Sequence, residues 1–183
     1  MSLLNTFLYS SHDKISNYLY LGNYRAANDY NFIKNNDIKL VINCSKDLEI
    51  PNFYNELNIE CYRIPINDSN TFEDNKILND NLDHVIDLID KYRLEKKNVF
   101  VHCYAGMQRS AAVVLCYIMF KLHNDYNDNN KDKYKKLSYD KLILYLKDKR
   151  SIVFKNGPTF DLLLRNRYKK LHDNLSLWFN NRI

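Results

Sequence analysis

The residues with the clearest chemical potential lie within one short segment, His102 to Ser110. Cys103 supplies a thiol, Arg109 supplies a planar guanidinium whose donors match two oxygens of a phosphate, and Gly106 allows a tight turn between them. A thiol among backbone N–H groups, a helix N-terminus and a guanidinium is expected to ionise near neutral pH, because each favours the charged form. The segment therefore predicts a sulfur nucleophile beneath a bound phosphoryl group.

The sequence on either side predicts the elements that hold this segment. Val99 to Val101 form an apolar run typical of a buried strand, and Ser110 to Met119 are mostly small or aliphatic, as in a buried helix. A strand that turns directly into a helix directs loop N–H groups and the helix N-terminus at one spot, which suits an anion. The residues predicted to bind the substrate phosphate are Tyr104, Ala105, Gly106, Met107, Gln108 and Arg109.

The pattern His102-Cys103-x-x-Gly106-x-x-Arg109-Ser110 resembles the HCxxGxxR[ST] loop of cysteine-dependent protein tyrosine phosphatases, in particular the small dual-specificity phosphatases of the poxvirus type. The resemblance implies hydrolysis of phosphotyrosine, phosphoserine and phosphothreonine in proteins through a cysteinyl-phosphate intermediate. It also implies that Ser110 helps to expel the sulfur and that His102 orients the loop. No cofactor or metal is expected, because Arg109 and the loop amides neutralise the phosphoryl oxygens.

Gln108 departs from the family pattern, since relatives more often carry Ser, Asn or Arg at this position. The departure leaves the loop intact and bears on hydrolysis of the intermediate or on substrate preference. Farther along the chain, Arg150, Asn156 and Phe160 resemble the family's C-terminal segment and are expected to pack rather than to catalyse.

The leaving oxygen needs a proton donor, and Asp68 is the first candidate. It follows a predicted strand, and the run Ile-Pro-Ile-Asn-Asp that it ends resembles the family's general-acid loop. The separation from Cys103 is a few residues longer than usual, which leaves Glu73 and Asp74 as alternatives. A further alternative is that Asp68 only begins a turn.

Patterns elsewhere alternate between strands and helices, which predicts an α/β fold with a mostly parallel central sheet flanked by helices. Residues 14–183 are expected to form a single catalytic domain. The other predicted strands are Ile15 to Leu21, Leu40 to Asn43, and Glu60 to Ile66. The other predicted helices are Asp74 to Tyr92, Tyr139 to Lys149 with Ser138 as N-cap, and about Thr159 past Leu171, while His123 to Lys136 is expected to be a polar surface loop.

The first 13 residues allow a short amphipathic helix, because Leu3, Leu4, Phe7 and Leu8 are apolar at helical spacing. Two interpretations stay open: a frayed terminus, or a helix that packs on its own domain or on a second subunit. In some poxvirus dual-specificity phosphatases an N-terminal helix mediates dimerisation, so the resemblance keeps a homodimer open.

Composition limits the partners and the compartment. The net charge of +5 comes from interspersed charges, which disfavours a nucleic-acid face but attracts phosphorylated proteins. No stretch approaches the roughly 20 apolar residues that span a bilayer, so no membrane partner is expected. The four cysteines have neither the spacing of a zinc site nor the density of a disulfide scaffold. We therefore expect the cytoplasm, or the host cytoplasm or virion for a viral protein.

Cys44 supports a separate hypothesis, because it ends a predicted strand that in this fold neighbours the strand before Cys103, where some relatives place a resolving cysteine. We expect a reversible Cys44–Cys103 disulfide under peroxide, the alternative being that Cys44 is a small buried hydrophobe. Three other functions are alternatives for such a loop: an RNA 5′-phosphatase, a phosphoinositide phosphatase and a catalytically inactive phosphate-binding module. The RNA phosphatase is disfavoured because the sequence has no basic aromatic cluster, and the phosphoinositide phosphatase because the loop contains no lysine. The inactive module is disfavoured because Cys103, Arg109 and Ser110 are all intact.

Overall fold

The computed structural model describes residues 9–128 and 138–180 and is built on one five-stranded sheet. The strands are β1 His12–Ser16, β2 Leu19–Gly22, β3 Ile38–Asn43, β4 Glu60–Arg63 and β5 Asn98–His102. Their order is β1-β2-β5-β3-β4; β1 and β2 are antiparallel, and the other neighbouring pairs are parallel. The predicted α/β fold with a mostly parallel central sheet is confirmed, and β5 lies at its centre.

Helices cover both faces of the sheet. They are α1 Tyr24–Ala27, α2 Tyr30–Asn35, α3 Phe53–Glu56, α4 Phe72–Leu94, α5 Arg109–Asp128, α6 Tyr139–Lys149 and α7 Asp161–Asn180. Successive residues of β5 face opposite sides, as the pleat of a strand requires. Val99 and Val101 pack in the larger core beneath the four long helices, whereas Phe100 packs in a smaller core with residues from the three short ones. Burial on both faces explains why β5 is a continuous apolar run.

The predicted central helices form at the expected places. Helix α4 buries Leu78, Leu82, Val85, Ile86 and Ile89, the apolar stripe that the sequence predicted. Ser138 caps α6 as predicted, since its side chain accepts a hydrogen bond from the N–H of Lys141 at 3.4 Å. None of the helices within residues 9–128 and 138–180 is long and apolar enough to cross a membrane.

The prediction of one strand over Ile15 to Leu21 was wrong. The chain there forms a hairpin, in which β1 ends at Ser16, reverses through Asn17 and Tyr18, and returns as β2. Tyr18 adopts a φ of 62°, a left-handed conformation that a tyrosine rarely takes. Because this turn contains no Gly or Pro, the sequence carried little signal for it. β4 likewise ends at Arg63, before Pro65, rather than at Ile66.

The prediction of a loop from His123 was also wrong at its start, because α5 continues to Asp128. The polar residues of that stretch include no Gly or Pro, so polarity alone did not end the helix. Residues 129–137 lie outside the described part of the chain, as do residues 1–8 of the predicted N-terminal helix. The remainder of that prediction was wrong, because residues 9–11 are not helical and His12 and Asp13 belong to β1, so the sheet begins two residues before the predicted start of the domain.

Candidate active site

The loop between β5 and α5 closes around the sulfur of Cys103. The backbone N–H of Gly106 and the hydroxyl of Ser110 both donate to Sγ, each at 3.2 Å. Gly106 has a φ of +66°, and a Cβ at this position would lie 2.4 Å from the carbonyl oxygen of Gly22 at the end of β2. Glycine is therefore required here both by conformation and by the close approach of the β2 backbone.

The surroundings of Cys103 favour a thiolate. Burial by itself raises the pKa of this thiol, because the charged sulfur loses water. The charge of Arg109, the Ser110 hydroxyl, and the backbone N–H groups of Ser110 and Met107 outweigh burial and lower the pKa below its ordinary value. The sulfur is thus buried, hydrogen-bonded and prepared to act as a nucleophile.

Arg109, the first residue of α5, holds its guanidinium against the acid loop, which we define as residues 67–71. Nη1 donates to the carbonyl oxygen of Ile66 at 3.2 Å, immediately before that loop. Nε is buried, and no acceptor within the described residues bonds to it. A buried charged donor without a partner is costly, so this N–H is suited to an anionic ligand. A phosphoryl oxygen has the charge and geometry that it requires.

The two aspartates proposed as proton donors have different surroundings. Asp74 is 4% exposed and accepts hydrogen bonds from the N–H of Asn67 at 2.9 Å, from the Thr71 hydroxyl at 2.8 Å and from the Ser69 hydroxyl. Burial opposes ionisation, but these donors lower the pKa of Asp74. Asp74 is therefore an ionised anchor that fixes the acid loop, a role that its sequence position did not reveal.

Asp68 is exposed on the acid loop, between the two anchored residues Asn67 and Ser69. Its Oδ1 accepts a hydrogen bond from the Thr159 hydroxyl at 3.4 Å. Glu73 is also exposed, in the first turn of α4. The geometry favours Asp68 over Asp74 as the proton donor, and the assignment stays a prediction.

His102 is suited to a supporting role. Its ring is buried and stacks on Phe100, with centroids 5.5 Å apart. Burial lowers the pKa of His102 to about 4, so the ring is neutral at physiological pH. Its carbonyl oxygen accepts from the N–H of Cys44 at 2.7 Å, which ties the start of the loop to β3. These contacts agree with orientation of the loop rather than proton transfer.

The other predicted loop residues divide into an exposed and a buried group. Tyr104 is half-exposed and stacks on Tyr24, with ring centroids 4.9 Å apart. Ala105 is half-buried, whereas Met107 and Gln108 are buried. The side chain of Gln108 bonds to the segment after α6 rather than to the sulfur.

Arg150 hydrogen-bonds to the carbonyl groups of the loop, whereas the sequence predicted only a packing role for it. Its side chain is buried, and Nε donates to the carbonyl oxygen of Gly106 at 2.9 Å, with Nη2 at 3.4 Å from that of Ala105. Nη1 forms an ion pair with Asp13 of β1. The loop carbonyls are thus held outward, which leaves the N–H groups of Gly106 and Met107 for the sulfur.

Cys44 follows β3 and stands next in register to Cys103, because Asn43 pairs with His102. Both thiols are buried and free. Burial and the neighbouring Cys103 raise the pKa of Cys44 well above its ordinary value, so this thiol is protonated at rest. The predicted disulfide stays a prediction. Across residues 9–128 and 138–180, no three His, Cys, Asp or Glu side chains are grouped so as to hold a metal ion.

Comparisons with known proteins place these residues in a family context. Residues 19–131 match the family model described as dual specificity phosphatase, catalytic domain. Dual specificity protein phosphatase 8 of Mus musculus is 33% identical over 150 residues, which cover 82% of this chain and 19% of that relative. Dual specificity protein phosphatase 21 of Homo sapiens is 27% identical over 164 residues, 90% of this chain and 76% of the relative. The chain thus spans about a fifth of the first relative's length.

The fold is also found among solved structures. The crystal structure of human DUSP28 superimposes with a TM-score of 0.69 at 20% identity, covering 89% of this chain and 96% of that chain. At this level of identity the likeness concerns the fold. It extends beyond the segment matched by the family model.

Proposed function

The chain belongs to the dual specificity phosphatase family, and from this membership we propose that it hydrolyses phosphotyrosine and phosphoserine or phosphothreonine in proteins through a cysteinyl-phosphate intermediate. One observation carries the proposal: a buried Cys103 sulfur with a lowered pKa lies beside Arg109, whose buried Nε has no acceptor in the described part of the chain. A nucleophile and an unsatisfied anion-binding donor at one site are the requirements of phosphoryl transfer to sulfur.

The first step forms the intermediate. The Cys103 thiolate attacks phosphorus, a sulfur–phosphorus bond forms, and the bond from phosphorus to the substrate oxygen breaks. Asp68, protonated, gives its proton to the leaving oxygen. Arg109 and the loop N–H groups stabilise the charge on the phosphoryl oxygens, because they are preorganised donors in a buried site.

The second step releases inorganic phosphate. Water attacks the phosphorus, gives a proton to the Asp68 carboxylate, and the sulfur leaves as a thiolate. The Ser110 hydroxyl, 3.2 Å from Sγ, stabilises that thiolate as it departs. The protein is returned to its starting charge and protonation state.

The proposed acceptance of both phosphoaryl and phosphoalkyl side chains is supported by the exposed position of Asp68 and the half-exposed Tyr104. A proton donor on the rim is reachable by a short serine phosphate as well as by a longer tyrosine phosphate.

Hydrolysis of an aryl phosphate with EDTA present tests the proposal, with Cys103→Ser as the matched variant. We expect turnover by the wild type, loss of turnover in the variant, and no effect of EDTA. Phosphopeptides of one sequence carrying phosphotyrosine, phosphoserine or phosphothreonine then measure dual specificity, with 5′-phosphorylated RNA and a phosphoinositide as further substrates. Binding of phosphopeptides without turnover would instead support an inactive phosphate-binding module, and faster turnover of RNA would support an RNA 5′-phosphatase.

Three further parts of the proposal rest on sequence: the location, the source and the oligomeric state. A cytoplasmic location is supported by cysteine usage, and a viral source by resemblance to the poxvirus type. A homodimer through residues 1–13 is supported by the apolar spacing of that segment. Because His12 and Asp13 belong to β1, sedimentation of the full chain beside a chain lacking residues 1–8 tests the dimer, which is refuted if both sediment as monomers.

A further inference from the structure

The segment between α6 and α7 is fixed at both ends against the loop between β5 and α5, residues 103–108, which we call the phosphate-binding loop after its proposed function. Phe154 and Phe160 are buried at the two ends of this segment. The N–H of Phe154 donates to the carbonyl oxygen of Met107 at 3.0 Å. The N–H of Gly157 donates to the carbonyl oxygen of Phe154, also at 3.0 Å. Gly157 takes a φ of +84°, which closes the turn. Residues 154–160 therefore form a turn whose position depends on the loop, and we refer to it as the C-terminal turn.

Gln108 links the loop to the middle of the C-terminal turn with both ends of its carboxamide. Nε2 donates to the carbonyl oxygen of Gly157 at 3.0 Å, and Oε1 accepts from the N–H of Thr159 at 3.0 Å. Gln108 is 7% exposed, and both bonds are partly buried. A serine is too short to span this gap in the same way. The residue that departs from the family pattern thus fixes the backbone of Thr159.

Thr159 in turn contacts the predicted proton donor. Its hydroxyl lies 3.4 Å from Oδ1 of Asp68. The acid loop is fixed independently, since Asn67 and Ser69 on either side of Asp68 bond to Asp74. None of the described residues donates a hydrogen bond to the other oxygen, Oδ2 of Asp68. One oxygen of this carboxyl group is therefore held and the other is free.

We propose that Thr159 is a positioning residue for Asp68, and that Gln108 holds Thr159 in place; the proposal rests on the proposed function. A hydroxyl that donates to Oδ1 keeps that oxygen an acceptor, so the proton of the acid form resides on Oδ2. Oδ2 then gives its proton to the leaving oxygen in the first step and receives one from water in the second. The chain from Gln108 through Thr159 to Asp68 couples the position of the acid to that of the loop that binds phosphate.

The test compares substrates that depend differently on a proton donor. Phenyl phosphate releases a basic phenolate that needs a proton, whereas 4-nitrophenyl phosphate releases a weakly basic anion that needs it far less. Thr159→Val keeps the shape of the side chain and removes the hydroxyl. We expect kcat/KM for phenyl phosphate to fall about 3- to 10-fold, the range of one hydrogen bond, with less than about a twofold change for 4-nitrophenyl phosphate.

Two variants control for simple misfolding of the turn. Thr159→Ser retains the hydroxyl, so it is expected to keep the wild-type ratio between the two substrates. Adding Thr159→Val to Asp68→Asn is expected to cause no further loss with phenyl phosphate, because the group that Thr159 positions is already absent.

Gln108→Leu removes both bonds to the turn and is expected to shift the substrate ratio in the same direction as Thr159→Val.

Other results would overturn the proposal. An equal loss on both substrates, an additive loss in the Asp68→Asn background, or no loss at all would reduce Thr159 to a structural residue. If Asp68→Asn slowed neither substrate, the acid assignment would fail and the positioning role with it. The cysteine mechanism is judged separately by Cys103→Ser, so failure of the positioning role is distinguishable from failure of the proposed function.

Discussion

Replacing Arg150 by Met removes the support beneath the phosphate-binding loop. Met preserves the length of the aliphatic stem but none of the donors. The variant loses the bonds to the carbonyl oxygens of Gly106 at 2.9 Å, of Ala105 at 3.4 Å and of Ser10 at 3.0 Å, and the ion pair with Asp13. A carboxylate and a buried loop carbonyl are then left without their donor.

The expected loss in the free energy of unfolding depends on how well water can solvate the groups that lose their donor. Removing one partner of a buried ion pair lowers the free energy of unfolding by about 3–5 kcal/mol, because the other charge stays desolvated. The Arg150 side chain is 1% exposed but that of Asp13 is 30% exposed, so Asp13 recovers part of its hydration. We therefore expect the lower end, a loss of about 3 kcal/mol in the free energy of unfolding.

Urea unfolding followed by circular dichroism at pH 7 measures this loss, with Arg150→Lys as the matched variant. Lys keeps the charge for Asp13 but lacks the planar fork, so we expect it to recover about half of the stability. A loss below about 1 kcal/mol in Arg150→Met would refute the reasoning, since that is the scale of an exposed ion pair. Equal losses in the Met and Lys variants would show that the fork, and not the charge, carries the whole contribution.

Three further predictions concern the site. Ser110→Ala removes a hydroxyl donor that lies 3.2 Å from Sγ of Cys103, and that hydrogen bond stabilises the thiolate by about 1.5 kcal/mol. Alkylation of Cys103 by iodoacetate at acidic pH should therefore slow roughly tenfold, and an unchanged rate would contradict this prediction. The folded-state pKa of Asp74 is depressed, so its stabilisation is present above about pH 4 and is lost as the pH falls through that pKa. Asp74→Asn should therefore lower stability by about 2 kcal/mol at pH 7 and by less at pH 3, and an equal difference at both is evidence against the anchor role. Under peroxide, Cys103 should be oxidised to sulfenic acid, and attack by the Cys44 thiol should then give a disulfide and release water. Cys44→Ser should therefore recover less activity after reduction than the wild type. Peptide mapping that finds only Cys103 sulfinic acid in the wild type would exclude the disulfide.

Much of the fold was predictable where the signal is local. The apolar run of β5 and the stripe of α4 were identified because period and burial are written in consecutive residues. The hairpin of β1 and β2 was missed, since the turn at Tyr18 has neither Gly nor Pro and is imposed by the pairing of β2 with β5. The continuation of α5 to Asp128 was missed because polar composition is a weak signal for the end of a helix.

Spacing in the sequence does not identify which carboxyl group near the acid loop is the proton donor. From the sequence, Asp68 was the first candidate for the proton donor, and Glu73 and Asp74 were alternatives because the separation from Cys103 is a few residues longer than usual. The surroundings of Asp68 and Asp74 differ in the structure, since Asp68 is exposed whereas Asp74 is buried and accepts hydrogen bonds from three residues, Asn67, Ser69 and Thr71. Those donors come from residues close to Asp74 in the chain, but their convergence depends on how the loop folds against α4.

By itself, the sequence determined the nucleophile, the arginine and the glycine of the phosphate-binding loop. These residues lie within one strand–loop–helix unit, where covalent connection and local conformation alone bring Cys103, Gly106 and Arg109 together. Only the tertiary structure decided which distant residues contact that loop and which one contacts Asp68. Arg150 reaches Gly106 across 44 positions, and Thr159 reaches Asp68 across 91. Contacts between segments so distant in the chain are set by the packing of the helices and the sheet, and no periodicity or spacing in the sequence encodes them.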